Sequence, residues 1–279
     1  MEAKILNENL LTAFCCELRR REKTEATVEK YRRDTKQFAG WAAGRPVTED
    51  LIGEWKQEMI RRYSPGTVNG KVAAVNALFQ FLRWGYRLRS LRLQRRAFRD
   101  DARELTRGEF FRLVETAQRT GRERLALILE TIGGTGIRVS EVKNITVEAL
   151  KGGKAEIALK GKIRTILLPG KLCKKLLQYA RKQKIASGEI FLTRSGASLS
   201  RKQIWAEMKA LSLKARVQPG KVFPHNLRHL FAQAFYKQTR DVVKLADVLG
   251  HSNLSTTRIY LLTTGAEHRR ELEKLGLVG

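Results

Sequence analysis

Cysteine is scarce in this sequence: Cys15, Cys16 and Cys173 are the full set. They form no CxxC pair and no even disulfide framework, and no histidine stands at metal-ligand spacing from them. A disulfide-stapled scaffold and a cysteine–histidine zinc site are thereby excluded, and all three are expected to be packing residues. No apolar run approaches the roughly eighteen residues needed to span a bilayer. The first stretch, MEAKILNENLLTAF, carries acidic residues where a secretory signal requires basic ones. These absences predict a soluble intracellular protein with no membrane partner. Acidic residues are few as well, 28 Asp and Glu against 55 Lys and Arg. They form no cluster of the kind that two-metal nucleases use, and no P-loop, internal repeat or low-complexity tract occurs. The sequence predicts neither a metal nor a cofactor.

What is present is positive charge. The net charge of +27 points to a polyanionic partner. Nucleic acid ranks ahead of an anionic membrane surface, because no basic amphipathic segment stands beside an apolar anchor. The 279 residues suffice for two ordinary domains, each with its own core.

Apolar residues recur at helical spacing in NENLLTAFCCELRRR, TEATVEKYRRDTKQFAGWAA, TEDLIGEWKQEMIRR and SPGTVNGKVAAVNALFQFLRWG. Thr24, Thr48 and Ser64 are the expected N-caps, and Pro65 suits a first helical position. A helical domain thus extends to about Gly85. The following YRLRSLRLQRRAFRDDAREL is dense in arginine without a steady apolar stripe, as suits a linker held against a phosphate backbone. Thr106 with Glu109 forms the signature of a capping box and opens a second domain with two helices, TRGEFFRLVETAQRTG and RERLALILETIGG. Between Glu148 and Pro169 the period changes, and KAEIALK and IRTILLP flank the short turn GK as a β-hairpin. Helical patterns resume from Lys171 to the end. The fold class is mainly α with a small β-sheet.

Three stretches carry chemistry. In PHNLRHLFAQAFY, a helix begun by Pro224 places His225 and Arg228 on one face. Arginine clamps a phosphate through parallel hydrogen bonds and histidine exchanges a proton near neutral pH, so the pair suits a reacting phosphodiester. In LGHSNLSTTRIY, Gly250 and His251 form a turn, and Ser255 can cap a helix that holds Tyr260 in its second turn. In GGTGIRVSEV, Arg138 follows a glycine-rich turn and offers a second clamp. Glu141, three residues on, either orients Arg138 or simply pairs with it. His229 points about 100° around its helix from Arg228 and is expected to make buried hydrogen bonds.

The boxes GTGIRVSEV, PHNLRHLFA and LGHSNLSTTRIY closely resemble the three signature boxes of the tyrosine recombinases, the phage integrase and Xer-like family. They stand in the family's order, with Tyr260 nine residues after His251, and the resemblance covers essentially the whole chain. It implies a two-domain C-shaped clamp: a helical, SAM-like core-binding domain over 1–86, a basic linker over 87–103 and a catalytic domain over 104–279. It further implies that Arg138 and Arg228 bind the phosphate, that His225 and His251 flank them, and that Tyr260 is the nucleophile of a 3′-phosphotyrosine intermediate. The family's remaining catalytic residue is a lysine of the hairpin. Lys160, at the end of the first strand, is preferred over Lys162, which is expected at the exposed tip. A type IB topoisomerase uses similar residues but rejoins the same strand, and the wording of the boxes favours the recombinase. A non-catalytic DNA-binding protein would lack the nucleophile or a clamp arginine, and none is missing.

The resemblance implies double-stranded DNA core sites as partners, a homo-tetramer on DNA with a monomer allowed when free, and a prokaryotic cytoplasmic location at the nucleoid. No separate arm-binding domain precedes the first helices, which leans towards a simple inverted core site. The tail TGAEHRRELEKLGLVG, with Thr264 as a cap and Leu272, Leu275 and Leu277 as apolar contacts, is expected to dock in trans on a neighbouring catalytic domain.

Overall fold

The computed structural model describes residues 4–93, 103–159, 162–251, 253–261, 269–270 and 272–276, the side chains of Leu159, Lys162 and Leu261 excepted. Among the described residues the protein is mainly helical with one two-stranded sheet, the expected fold class. The chain divides into two compact units, Met1–Arg95 and Arg96–Gly279.

The first unit holds α1 (Glu8–Arg20), α2 (Glu25–Ala42), α3 (Glu49–Arg62) and α4 (Pro65–Leu82). Each presents an apolar face to a common core, at whose centre Phe38 lies edge-on to both Trp55 (5.1 Å between centroids) and Phe79 (5.6 Å). Three such rings, fully buried, each contribute about 2–3 kcal/mol of transfer free energy. Thr48 caps α3 as expected, accepting from the Leu51 N–H. Thr24 and Ser64 do not act as side-chain caps. Their hydroxyls pair instead with those of Thr27 and Thr67, three residues on, which compete for the same oxygen. Asn7 caps α1. Cys15 is buried as expected but Cys16 is exposed, because successive helical positions diverge by about 100°.

After α4 the chain runs extended, and its first part is not free. Asn76 exchanges two hydrogen bonds with the backbone of Leu88, and Asn69 two with that of Leu91, all between 2.7 and 2.9 Å. Two amides spaced two helical turns apart thus lash residues 88–91 along α4. Residues 94–102 of the expected linker lie outside the described residues.

The second unit contains α5 (Arg107–Arg119), α6 (Glu123–Thr135), a 3-10 turn (Val139–Asn144), α7 (Val147–Lys151), β1 (Lys154–Leu159), β2 (Lys162–Leu167), α8 (Gly170–Lys182), α9 (Arg201–Lys214), α10 (Pro224–Thr239), α11 (Val242–Leu249), α12 (Leu254–Arg258) and a 3-10 turn (Ile259–Leu261). Thr106 and Glu109 form the expected capping box. α6 is the buried axis: Leu125, Ile128, Leu129 and Ile132 are fully enclosed, and α5, α8, α9 and α10 pack around it. The strands pair antiparallel from Lys154↔Leu167 to Leu159↔Lys162.

Two expectations change here. Residues 183–200 are not helical but form turns held by the bridges Thr146↔Glu189 and Leu192↔Ser198. Lys162 does not sit at the hairpin tip: the ladder places it opposite Leu159 as the first residue of β2, and residues 160 and 161 lie outside the described residues. Of the tail, residues 262–268, 271 and 277–279 lie outside the described residues, Thr264 and Leu277 among them, while Leu272 and Leu275 are exposed.

Candidate active site

α6 ends at Gly136, whose φ of +64° turns the chain out of the helix. A Cβ at Gly136 would lie 2.4 Å from the Phe231 ring, so only glycine lets α10 approach this turn. Ile137, fully buried, anchors the next residue, and Arg138 emerges at the start of the 3-10 turn. Buried Glu141 accepts from the Arg138 backbone N–H at 2.9 Å and from Nη1 at 2.8 Å. One carboxylate therefore fixes both the main chain and the guanidinium of Arg138, which stays about one-third exposed.

Pro224 begins α10 as expected, and His225 and Arg228 share a face. Arg228 is buried. Its Nη1 donates to the Gly136 carbonyl and its Nη2 to the Leu249 carbonyl at 2.8 Å. Those carbonyls sit at the C-terminal ends of α6 and α11, where the helix dipole favours a cation. Arg228 thus joins the ends of two helices. Burial lowers its pKa; the neighbouring Tyr260 side chain opposes that shift and the charge of Arg138 adds to it.

Gly250, at φ +63°, ends α11 and delivers His251. The Nε2 of His251 lies 3.0 Å from Nη2 of Arg228. A guanidinium can only donate, so Nε2 is the acceptor and Nδ1 carries the proton, which is given to Thr257 Oγ1 at 2.9 Å. Burial, followed by the charges of Arg228, Arg138, Arg164 and His225, holds the His251 pKa at about 4. The ring is neutral at pH 7. His225 is also lowered, by partial enclosure of its ring and then by Arg228, although the residue as a whole is exposed. α12 begins two residues earlier than expected: Asn253, not Ser255, is its cap, its amide oxygen accepting from the Ser255 N–H.

Tyr260 follows on the 3-10 turn and is only 5% exposed. Its ring packs on Ala232, Leu245 and Leu249, and three imidazoles surround it: His229 edge-on at 4.9 Å, His251 stacked at 5.9 Å and His225 at 6.1 Å. His229 is largely buried, with Nδ1 3.7 Å from Glu104 Oε1.

The fold accordingly brings Arg138, His225, Arg228, His251 and Tyr260 to one place. Lys160 lies outside the described residues. Sequence reasoning missed Arg164, on the inward face of β2, whose Nη1 donates to the Leu249 carbonyl at 2.6 Å and whose Nη2 stands 3.7 Å from Glu141. A signal for it existed: in IRTILLP the inward positions of the strand are Arg164, Ile166 and Leu168, and a cation breaks that apolar alternation. Thr257, the partner of His251, left no such signal. Among the described residues no group of three or more His, Cys, Asp or Glu is placed to hold a metal ion, and no helix is long and apolar enough to cross a membrane.

A clamp of arginines and histidines around a tyrosine, on a helical unit with one hairpin, defines the class, and comparison with known proteins agrees. The phage integrase family matches residues 103–266, more than half of the chain. The chain belongs to this family, the tyrosine recombinases, enzymes that cut and rejoin DNA. Tyrosine recombinase XerA of Pyrococcus furiosus is 28% identical, the alignment covering all of this chain and 98% of that protein. Tyrosine recombinase XerA of Thermococcus kodakarensis is 31% identical, covering 77% of each. Among solved structures, the XerH site-specific recombinase bound to difH in a pre-cleavage complex shares the fold with a TM-score of 0.70 at 18% identity, over 97% of this chain and 90% of that one.

Proposed function

We propose that this recombinase exchanges strands between two double-stranded DNA core sites, with Tyr260 as the nucleophile. The observation that carries the reading is Tyr260 itself, buried in the same cluster as Arg228 and enclosed by three histidines. A phenol is a weak nucleophile near neutral pH and attacks usefully only a phosphorus whose oxygens are already neutralised. Arg138 and Arg228 supply that neutralisation. The Tyr260 oxygen forms a bond to phosphorus as the bond to the 5′ oxygen breaks, leaving a 3′-phosphotyrosine. His225, whose lowered pKa keeps it neutral, accepts the phenolic proton. Lys160 gives a proton to the leaving 5′ oxygen. A 5′-hydroxyl from a second duplex then reverses the step, and the phosphodiester energy is conserved in the covalent bond.

His251 has a narrower role than its position first suggests. Its Nε2 is occupied by Arg228, so it braces that arginine and turns to a phosphate oxygen only if the contact is exchanged. Residues 1–86 are the core-binding domain, 87–103 a basic linker and 104–279 the catalytic domain. The net charge of +27 supports duplex binding by both. The working assembly is a homo-tetramer on DNA, with the C-terminal tail docking in trans, and the protein acts in the prokaryotic cytoplasm at the nucleoid. The test is covalent trapping on nicked duplexes selected from a randomised library. Tyr260→Phe is expected to abolish the protein–DNA adduct while leaving duplex affinity within a few-fold; an adduct retained by the variant removes Tyr260 from its role.

A further inference from the structure

Arg164 is an expensive residue for the inner face of a hairpin. Its side chain is 13% exposed, and its Nε and Nη2 are buried without a hydrogen bond among the described residues. Burial holds its pKa at about 10, against the opposing pull of Glu141 and with the charges of Arg228 and Arg138 adding to the decrease. The backbone is shaped around it: a Cβ at Gly250 would lie 2.2 Å from Arg164 Cδ and 2.9 Å from Nε. Desolvating a guanidinium in this way, with donors left over, is destabilising unless the charge itself has a use.

Its surroundings identify the use. Glu141 is the carboxylate whose charge Arg138, Arg164 and Arg228 all feel. Glu141 orients Arg138, but a carboxylate 2.8 Å from a guanidinium also cancels much of the charge that the guanidinium could offer a phosphate. Arg164 stands on Oε2 of the same carboxylate, 3.7 Å away. It does not reach the DNA from here, since Nη1 is taken by the Leu249 carbonyl and the other two nitrogens are shut from solvent.

We propose that Arg164 is a positioning residue that balances the charge of Glu141, so that Glu141 can orient Arg138 without neutralising it. The inference rests on the reading of Arg138 as a phosphate clamp. It makes the three arginines and one carboxylate a site of net charge +2, matched to a phosphodiester whose negative charge grows as the fifth bond to phosphorus forms. By tying β2 to the residue before Gly250, Arg164 also holds the strand that follows Lys160 against the turn that delivers His251.

The test is a charge cycle read by single-turnover cleavage of the nicked duplex that the wild-type protein captures covalently. Arg164→Gln keeps a donor for the Leu249 carbonyl and removes the charge, and is expected to slow cleavage roughly a hundredfold. In the wild-type background Glu141→Gln, which loosens Arg138, is expected to slow cleavage. In the Arg164→Gln background the same Glu141→Gln is expected to accelerate it about tenfold, because it removes the carboxylate left unopposed. A merely structural Arg164 gives two losses that add, and a double variant as slow as or slower than Arg164→Gln overturns the proposal; so does Arg164→Gln cleaving at the wild-type rate. Should Arg164→Gln lose cooperative melting, Arg164→Lys carries the test. It retains the charge and is expected to stay within about tenfold of wild type, with Glu141→Gln then slowing it further; a hundredfold loss in Arg164→Lys, or no further slowing, overturns the proposal. The two readings fail separately. An adduct that survives Tyr260→Phe sinks the active-site reading, whereas a Tyr260-dependent adduct indifferent to Arg164 sinks only this one.

Discussion

Each unit buries a carboxylate among cations, and the two are built differently. In the first unit Asp34, 4% exposed, meets Lys30 at 2.8 Å and Lys71 and Arg33 at 3.6 Å. Lys30 also donates to the Gly70 carbonyl at 3.2 Å and Lys71 to the Gln37 side chain, so the flexible lysine stems reach secondary partners and tie α2 to α4. In the second unit Glu141 meets arginines, whose rigid forks hold fixed directions, and two nitrogens of Arg164 remain without a hydrogen bond among the described residues. Around Asp34 only Lys71 is buried, Lys30 and Arg33 reaching solvent, so the buried charges balance and serve the fold. Around Glu141 they exceed what the fold uses, beside three histidines and a tyrosine. A buried ion pair is thus no sign of a site; a buried excess of one sign is.

The comparison can be broken most sharply at Arg228. Arg228→Lys keeps the charge but cannot reach the Gly136 and Leu249 carbonyls and His251 together, and adduct formation is expected to fall about a thousandfold in rapid-quench measurements. A loss under tenfold would show that charge alone suffices and that the fork is incidental. Gly250→Ala drives a Cβ into Arg164 and strains a residue at φ +63°. Single-turnover cleavage is expected to drop roughly tenfold to a hundredfold, with duplex binding kept.

Titration gives a smaller effect. Burial and Arg228 disfavour the charged imidazole of His225, so its pKa lies below the ordinary value of about 6.5. As a base it works when neutral; activity is present above that pKa and lost as pH falls through it. The acid limb of the cleavage profile is expected below pH 6.5, and a limb at or above pH 7 would remove His225 from the proton path. The smallest effect on chemistry belongs to the other cluster. Asp34→Ala strands Lys71 and is expected to cost about 2–3 kcal/mol of stability in denaturant melts, yet to leave the cleavage rate per bound molecule unchanged. A comparable loss in cleavage would erase the distinction between the two carboxylates.

Much of the fold could be read in advance because its signals are local. The helical period of the first four segments, the Thr106–Glu109 box, Pro224 at the start of α10 and the change of period at the hairpin are each settled within a few residues. Errors arose where one local partner displaced another. The hydroxyls of Thr24 and Ser64 turned to threonines three residues on, and Asn253 took the cap assigned to Ser255. The candidate site was legible as a set of types in order, Arg138, His225, Arg228, His251 and Tyr260, which the fold brings together, but not as a network.

The sequence by itself determined the elements, the charge and the residues able to do phosphoryl chemistry, because propensity, capping and periodicity act over one or two turns. Only the tertiary structure decided which groups are deprived of water and by whom. Arg228 braces two helix ends 92 and 21 residues away in the chain, Arg164 reaches Leu249 across 85, and His229 meets Glu104. Desolvation and Coulomb energy depend on distance through space and on the depth of burial. Both quantities are fixed when the core closes, and neither is encoded in the spacing of residues along the chain.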